Sequence, residues 1–185
     1  MLIQEITRDA SLNLLAHFNF GRLACTQGAE PYVVPFNFAY DNGYLYSFST
    51  VGQKIDWMRA NPLVCVEVDD VVSSQKWVSI IIIGRYEELP DTSEWKLERA
   101  HAYELLRQRP VWWEPGYVKT IIHGTERPLV PVYYRIHISK ITGHCATPEF
   151  AQGHETRTSM REGSSKHWLQ VILRHLRGRH RQVSG

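Results

Sequence analysis

Ser47, Ser49, Thr50 and Gly52 form a run of small polar residues closed by Lys54. Short hydroxyl donors beside one fixed positive charge suit a phosphate group: the ammonium supplies charge and the hydroxyls supply direction. The run ends a β-type segment and leads into a helical one, and free N–H groups at a helix start also favour an anion. Just before it, Asp41-Asn42-Gly43 separates two β-type segments, and Asn-Gly supplies the two positive-φ positions of a tight hairpin. On these residues alone, a solvated hairpin end and a phosphate cradle are equal readings.

The elements that must position this run follow from periodicity and punctuation. A helix is predicted over 7–18, capped by Thr7 or Asp9, with Leu12, Leu15 and Phe18 on one face. Strands are predicted near 22–27, 32–40, 43–49 and 63–69. A short helix over 53–60 must stop at Asn61-Pro62, because a residue before proline avoids the α region. Residues 76–88 predict a long strand, apolar enough for burial on both faces. Asp91 and Glu94 have capping-box spacing for a further helix ending at Pro110. Residues 111–128 look irregular and aromatic. Val130, Val132, Tyr134, Ile136 and Ile138 alternate as one face of a strand. Short hairpin-linked strands with few helices suggest a mainly β, antiparallel barrel.

The segments Gly21-Arg22-Leu23-Ala24, Pro31-Tyr32-Val33-Val34-Pro35-Phe36-Asn37-Phe38, Gly52-Gln53-Lys54 and Trp77-Val78-Ser79-Ile80-Ile81-Ile82-Ile83-Gly84 occur in a telling order. In them the chain resembles the pyridoxamine 5′-phosphate oxidase-like flavoproteins, most of all their small nitroimidazole-reductase-like branch. The resemblance spans roughly residues 1–145. It implies an FMN-binding split β-barrel of antiparallel Greek-key type, a homodimer with FMN at the interface. The phosphate would sit at Ser49, Thr50, Gln53 and Lys54. Relatives often carry Arg where this chain has Gln53, which donates a hydrogen bond without charge; Arg22 is the candidate to compensate. Phe48 is placed with the cofactor residues, at a position where relatives of the nitroimidazole branch often carry histidine. Val34, Pro35, Phe36 and Asn37 would run beside the isoalloxazine ring. Pro35 lacks an N–H for the ladder, and Asn37 can both donate and accept. Trp77 heads the last matched segment and is placed with the cofactor residues. Ser79 is a hydroxyl in an apolar strand and needs a buried partner, either the flavin or nearby backbone.

Trp112 and Trp113 are candidates for a substrate-side wall or for plain packing, since aromatic faces serve both. His123, His137 and His144 are scattered, and Cys25, Cys65 and Cys145 show neither CxxC nor zinc spacing, so no metal is expected. No side chain is an evident proton donor, and no catalytic residue is assigned.

Composition is that of an ordinary soluble domain, 43% hydrophobic and 22% charged over 185 residues. No apolar run is long enough to span a bilayer, and no secretory signal is visible, so a cytoplasmic protein is expected. The net charge of +2 divides unevenly. Residues 151–185 carry Arg157, Arg161, Lys166, Arg174, Arg177, Arg179 and Arg181 against Glu155 and Glu162. Residues 1–150 are therefore read as the barrel, and 151–185 as a basic tail with a segment able to form an amphipathic helix. No nucleic-acid motif accompanies that tail, so nucleic acid is not an expected partner.

The function so implied is a flavin-dependent oxidoreductase passing electrons from a reduced nicotinamide to a small, nitroaromatic-type acceptor. Two alternatives stand beside it. One is a module that binds FMN or haem without turnover. The other is a pyridoxamine-phosphate-type oxidase, which would require further basic residues for a second phosphate.

Overall fold

The computed structural model describes residues 1–108, 120–122, 125–127 and 131–147. The chain opens with β1 (Leu2–Ile6) and α1 (Arg8–Leu15), where the Thr7 hydroxyl accepts from the Ala10 N–H at 3.2 Å and caps the helix. Strands β2 (Phe20–Gln27), β3 (Glu30–Asn37), β4 (Ala39–Asp41) and β5 (Tyr44–Thr50) follow. Asn42 and Gly43 hold the positive φ values that the β4–β5 turn requires, 46° and 84°. After α2 (Gln53–Ala60) come β6 (Leu63–Ser73), β7 (Lys76–Glu88), α3 (Lys96–Arg107), β8 (Thr120–Ile122), β9 (Thr125–Arg127) and β10 (Pro131–Thr147).

Seven strands pair in the order β3-β2-β6-β7-β10-β5-β4, and β1 adds to β10. Every pairing is antiparallel. The sheet curls around one core without closing, because β3 and β4 are its two ends. Phe38 carries the chain from one end to the other, and its N–H donates to the Asn19 carbonyl at 2.9 Å. The core gathers Leu23, Phe36, Phe38, Leu45, Val66, Ile80, Ile82 and Tyr134, with α1 and α2 contributing Leu14, Leu15, Ile55 and Met58. This mainly β, split-barrel architecture is the one the sequence implies.

Several details differ from expectation. The strand predicted over 32–40 breaks at Phe38 into β3 and β4, and the helix predicted over 7–18 ends at Leu15 and buries Leu14 beside Leu15 in place of Leu12 and Phe18. Strand β1 was not anticipated: only Ile6 of its five residues is buried, so it carries little core pattern. Helix α3 starts at Lys96, not at the Asp91 cap. Turn bonds from Thr92 N–H to Pro90 O at 2.9 Å and from Trp95 N–H to Thr92 O at 3.2 Å occupy the expected first turn. The aromatic stretch read as irregular contains the β8–β9 hairpin. Strand β10 is longer than its alternating run. Val132, Tyr134, Ile136 and Ile138 face the core as expected, then a bulge between Ile138 and Lys140 resets the parity. Ile141 and Cys145 thereby return to the core. The bulged strand serves two partners on one side, β5 along Pro131–His137 and β1 along Gly143–Thr147.

Close approach of β7 and β10 depends on Gly84. A Cβ there would lie 2.5 Å from Ile136 Cγ2 and 2.7 Å from the His137 carbonyl oxygen, and backbone cannot easily yield. Gly84→Ala is expected to lower stability by ~1–3 kcal/mol, the usual cost of overpacking. A lower urea midpoint at unchanged slope would show it; an unchanged midpoint would contradict the packing argument.

Candidate functional site

The β5–α2 junction brings Ser49, Thr50, Gln53 and Lys54 together. Along β5, Leu45 and Ser47 are buried and face the core, and Ser49 continues that face at the strand end, half-buried. Ser47 is already committed: its hydroxyl donates to the Asn37 carbonyl at 2.7 Å. That leaves Ser49 and Thr50 as the hydroxyls at the strand end. Helix α2 begins at Gly52 with no side-chain cap, so its first N–H groups are left without a side-chain acceptor. Gln53 is exposed beside them.

Lys54 is half-buried in this first turn. Among the described residues no hydrogen bond or ion pair reaches its ammonium. Burial pushes its pKa below the ordinary lysine value, and the nearby Cys25 thiol acts more weakly in the other direction. The same burial raises the Cys25 pKa, with Lys54 opposing. A cation held partly out of water without a counter-charge is costly. An anion arriving at this junction would remove that cost.

Helix α2 is fixed in place, so Lys54 is too. Ile55, Trp57 and Met58 enter the core. Arg59 makes a two-pronged contact to Glu88 of β7, 2.8 Å on each prong, and the Tyr86 hydroxyl donates to the same carboxylate at 2.9 Å. Arg59 holds the Glu88 carboxyl below its usual range. Asn61 ends the helix in extended backbone, and its side chain donates to Thr26 Oγ1 at 3.0 Å. This clasp escaped sequence reading, because Arg59 and Glu88 are paired only once β6 and β7 fold back.

The remaining expected site residues separate onto three surfaces. Strand register places Arg22 opposite Pro35 and Glu67, Phe20 opposite Asn37, Glu67 opposite Ile81, and Asp69 opposite Ser79. Arg22, Pro35, Asn37, Trp77 and Ser79 therefore share the outer face of the sheet. Val34 and Phe36 point inward; Phe36 stacks on Phe38 with ring centroids 5.4 Å apart. Phe48 faces the opposite side of β5 and packs on Tyr133 at 5.6 Å. Trp112 and Trp113 lie outside the described residues.

Arg22 does not supply the charge that Gln53 lacks. Its guanidinium pairs with Asp69 and reaches Glu67 at 3.5 Å. Ser79 has the partner it needs: its hydroxyl donates to the Glu67 carboxylate at 3.3 Å. Burial and the neighbouring Asp69 raise the Glu67 pKa, against Arg22 and Ser79. Asn37 is 6% exposed, and among the described residues no hydrogen bond reaches its carboxamide. It is thus a second buried polar group that a ligand could satisfy.

Residues 7–145 match the profile of the family described as pyridoxamine 5′-phosphate oxidase. The chain belongs to this family. An uncharacterised protein of Rhizobium meliloti (strain 1021) is 36% identical over 146 residues, spanning 79% of this chain and 97% of that protein. The crystal structure of an FAD-binding protein from Mesorhizobium loti shares 40% identity over 80% of this chain and 100% of its own, with a TM-score of 0.67. An FAD-binding protein from Mycobacterium smegmatis has the same fold at 19% identity, covering 76% of this chain and 98% of its own, TM-score 0.54. Membership in the pyridoxamine 5′-phosphate oxidase family covers the barrel, the β5–α2 junction and the outer sheet face alike. Among the described residues no helix is long and apolar enough to cross a membrane.

An anion bound at this junction is expected to show a pH-dependent affinity set by Lys54. An anion bound beside the ammonium raises its pKa from the lowered starting value. Affinity is then constant below the free-state pKa and falls as pH rises toward the bound-state one. The decline is expected to begin below the ordinary lysine value of about 10.4. Phosphate-ester titrations across that range would show it, and the Lys54→Ala variant should lack it. An identical decline in both proteins would assign it elsewhere.

Proposed function

We propose that this chain is a homodimeric flavoprotein that holds its flavin by a phosphate at the β5–α2 junction. The observation that carries the proposal is the half-buried Lys54 ammonium, with no counter-charge among the described residues, at the uncapped start of a helix. Ser49 and Thr50 stand ready as hydroxyl donors, and Gln53 as a neutral one. The ring would lie along the outer sheet face, where the Asn37 carboxamide can meet its polar edge and the β3 backbone its flank. A bound flavin supplies hydride and electron transfer. The residues around it orient the ring and exclude water.

FMN fits a junction where Lys54 is the cation among the described residues. FAD is the second reading, favoured by the Mesorhizobium loti relative that binds it; Lys54 would then meet one phosphate of a diphosphate. A second phosphate-gripping set, as a pyridoxamine-phosphate oxidase requires, finds little support: Arg22, Arg59 and Arg135 are each engaged by carboxylates. We place the flavin unit in residues 1–150 and the basic segment 151–185 apart from it. The activity proposed is electron transfer from a reduced nicotinamide to a small, nitroaromatic-type acceptor. Anaerobic mixing of the flavin-loaded protein with NADH or NADPH, followed by a nitroaromatic compound, tests it. Bleaching of the flavin and recovery on acceptor addition are expected. A flavin that neither nicotinamide reduces would make the protein a carrier.

A further inference from the structure

We propose that the cleft between α3 and the start of β10 binds a small aromatic carboxylate, independently of any flavin. The cleft holds about 380 Å³, within the range of ~300–1,000 Å³ usual for small-molecule sites. Its walls combine two cations with two aromatic rings. Arg99 is fixed in place: Nη1 donates to the Leu89 carbonyl at 2.9 Å, and the guanidinium stacks on the Tyr133 ring at 4.7 Å. Lys96 lines the opening, and among the described residues its ammonium has no ion pair or hydrogen bond. Asp91 sits at the rim, 90% exposed and 3.9 Å from Arg99 Nε, and offsets one of the two charges. The cleft therefore keeps a net positive charge. Tyr103 of α3 is half-exposed toward solvent, while Tyr133 is backed by Phe48 at 5.6 Å. Pro131 adds an apolar edge.

Each part constrains the ligand. The open Tyr103 ring and Pro131 accept a flat apolar body, while Arg99 and Phe48 already cover Tyr133. The surplus cation accepts one negative charge, and Lys96 reaches it as a flexible point charge. A bare phosphate would leave the Tyr103 ring unused, and a neutral ring would leave Lys96 unused. An aromatic carboxylate uses both. The cleft lies on the Phe48 side of β5, whereas Ser49 continues the opposite face.

Calorimetric titration of the full chain with benzoate, benzamide and inorganic phosphate tests this. Saturable benzoate binding is expected, with benzamide and phosphate at least ~10-fold weaker. Lys96→Ala should weaken benzoate ~10-fold, Tyr103→Ala should also weaken it, and Lys96→Arg should keep it. These positions are exposed on α3, so an unchanged melting curve will show that the fold is intact. Lys54→Ala should leave benzoate affinity unchanged. No saturable benzoate binding, equal binding of benzamide, or indifference to Lys96→Ala would each overturn the proposal. So would loss of benzoate binding in Lys54→Ala, which would put the ligand at the flavin phosphate site.

Discussion

Lys54→Ala is expected to weaken flavin binding about 10- to 150-fold while the barrel stays folded. A hydrogen bond to a charged group contributes ~1.5–3 kcal/mol, and about 1.4 kcal/mol is tenfold in affinity. The fold should survive because Lys54 has no partner among the described residues to orphan. Removing it also relieves the burial that lowers its pKa. Ile55 and Met58, which anchor the helix, remain in the core. Fluorescence titration of variant and parent with FMN measures the difference. Equal affinities would remove Lys54 from the site and leave the junction without its charge.

A charge on the outer sheet face is expected to split the proposed dimer. Strand register gathers Phe20, Val33, Leu63, Val71 and Ile81 on that face, 36%, 60%, 52%, 64% and 37% exposed. The long strand β7 was expected to be buried on both sides. Its inward residues Val78, Ile80 and Ile82 are fully buried, yet Ile81 faces out. A second copy would complete the burial of these side chains, which flank the Arg22–Glu67–Asp69 cluster on the same face. In a twofold interface each substitution enters twice. Ile81→Glu, at ~2 kcal/mol per copy for the lost burial alone, should raise the dimer dissociation constant by about 10³. Sedimentation at micromolar concentration should find monomer, with circular dichroism unchanged because the core face is untouched. Flavin affinity should fall with it if the cofactor crosses the interface. A parent protein that is itself monomeric with flavin bound would contradict both the dimer and the shared site.

What the sequence disclosed was local. Asn42-Gly43 marked its hairpin, and Asn61-Pro62 ended α2 at the expected place, because both act through the backbone of adjacent residues. The alternation of Val132 to Ile138 showed which face of β10 is buried. Strand order was legible only through resemblance, since periodicity cannot say that β2 lies beside β6. For that reason the fate of Arg22 was hidden: its carboxylate partners, Glu67 and Asp69, are 45 and 47 residues away. The same holds for Ser79 and Glu67 and for the Arg59–Glu88 clasp. The bulge after Ile138 left no mark, because Ser139 and Lys140 also read as a strand ending. Lys54 was named as a phosphate ligand from residue type and resemblance. Its partial burial, with no counter-charge among the described residues, is the property that gives it leverage, and it emerged from the packing of α2 against β2.

The visible absorption spectrum of the purified protein, before and after addition of FMN, tests the central claim most directly. The bands of an oxidised flavin are expected, retained through gel filtration by the parent and lost by Lys54→Ala at the same flavin concentration. A haem Soret band, or a protein that stays colourless after incubation with FMN and with FAD, would contradict it.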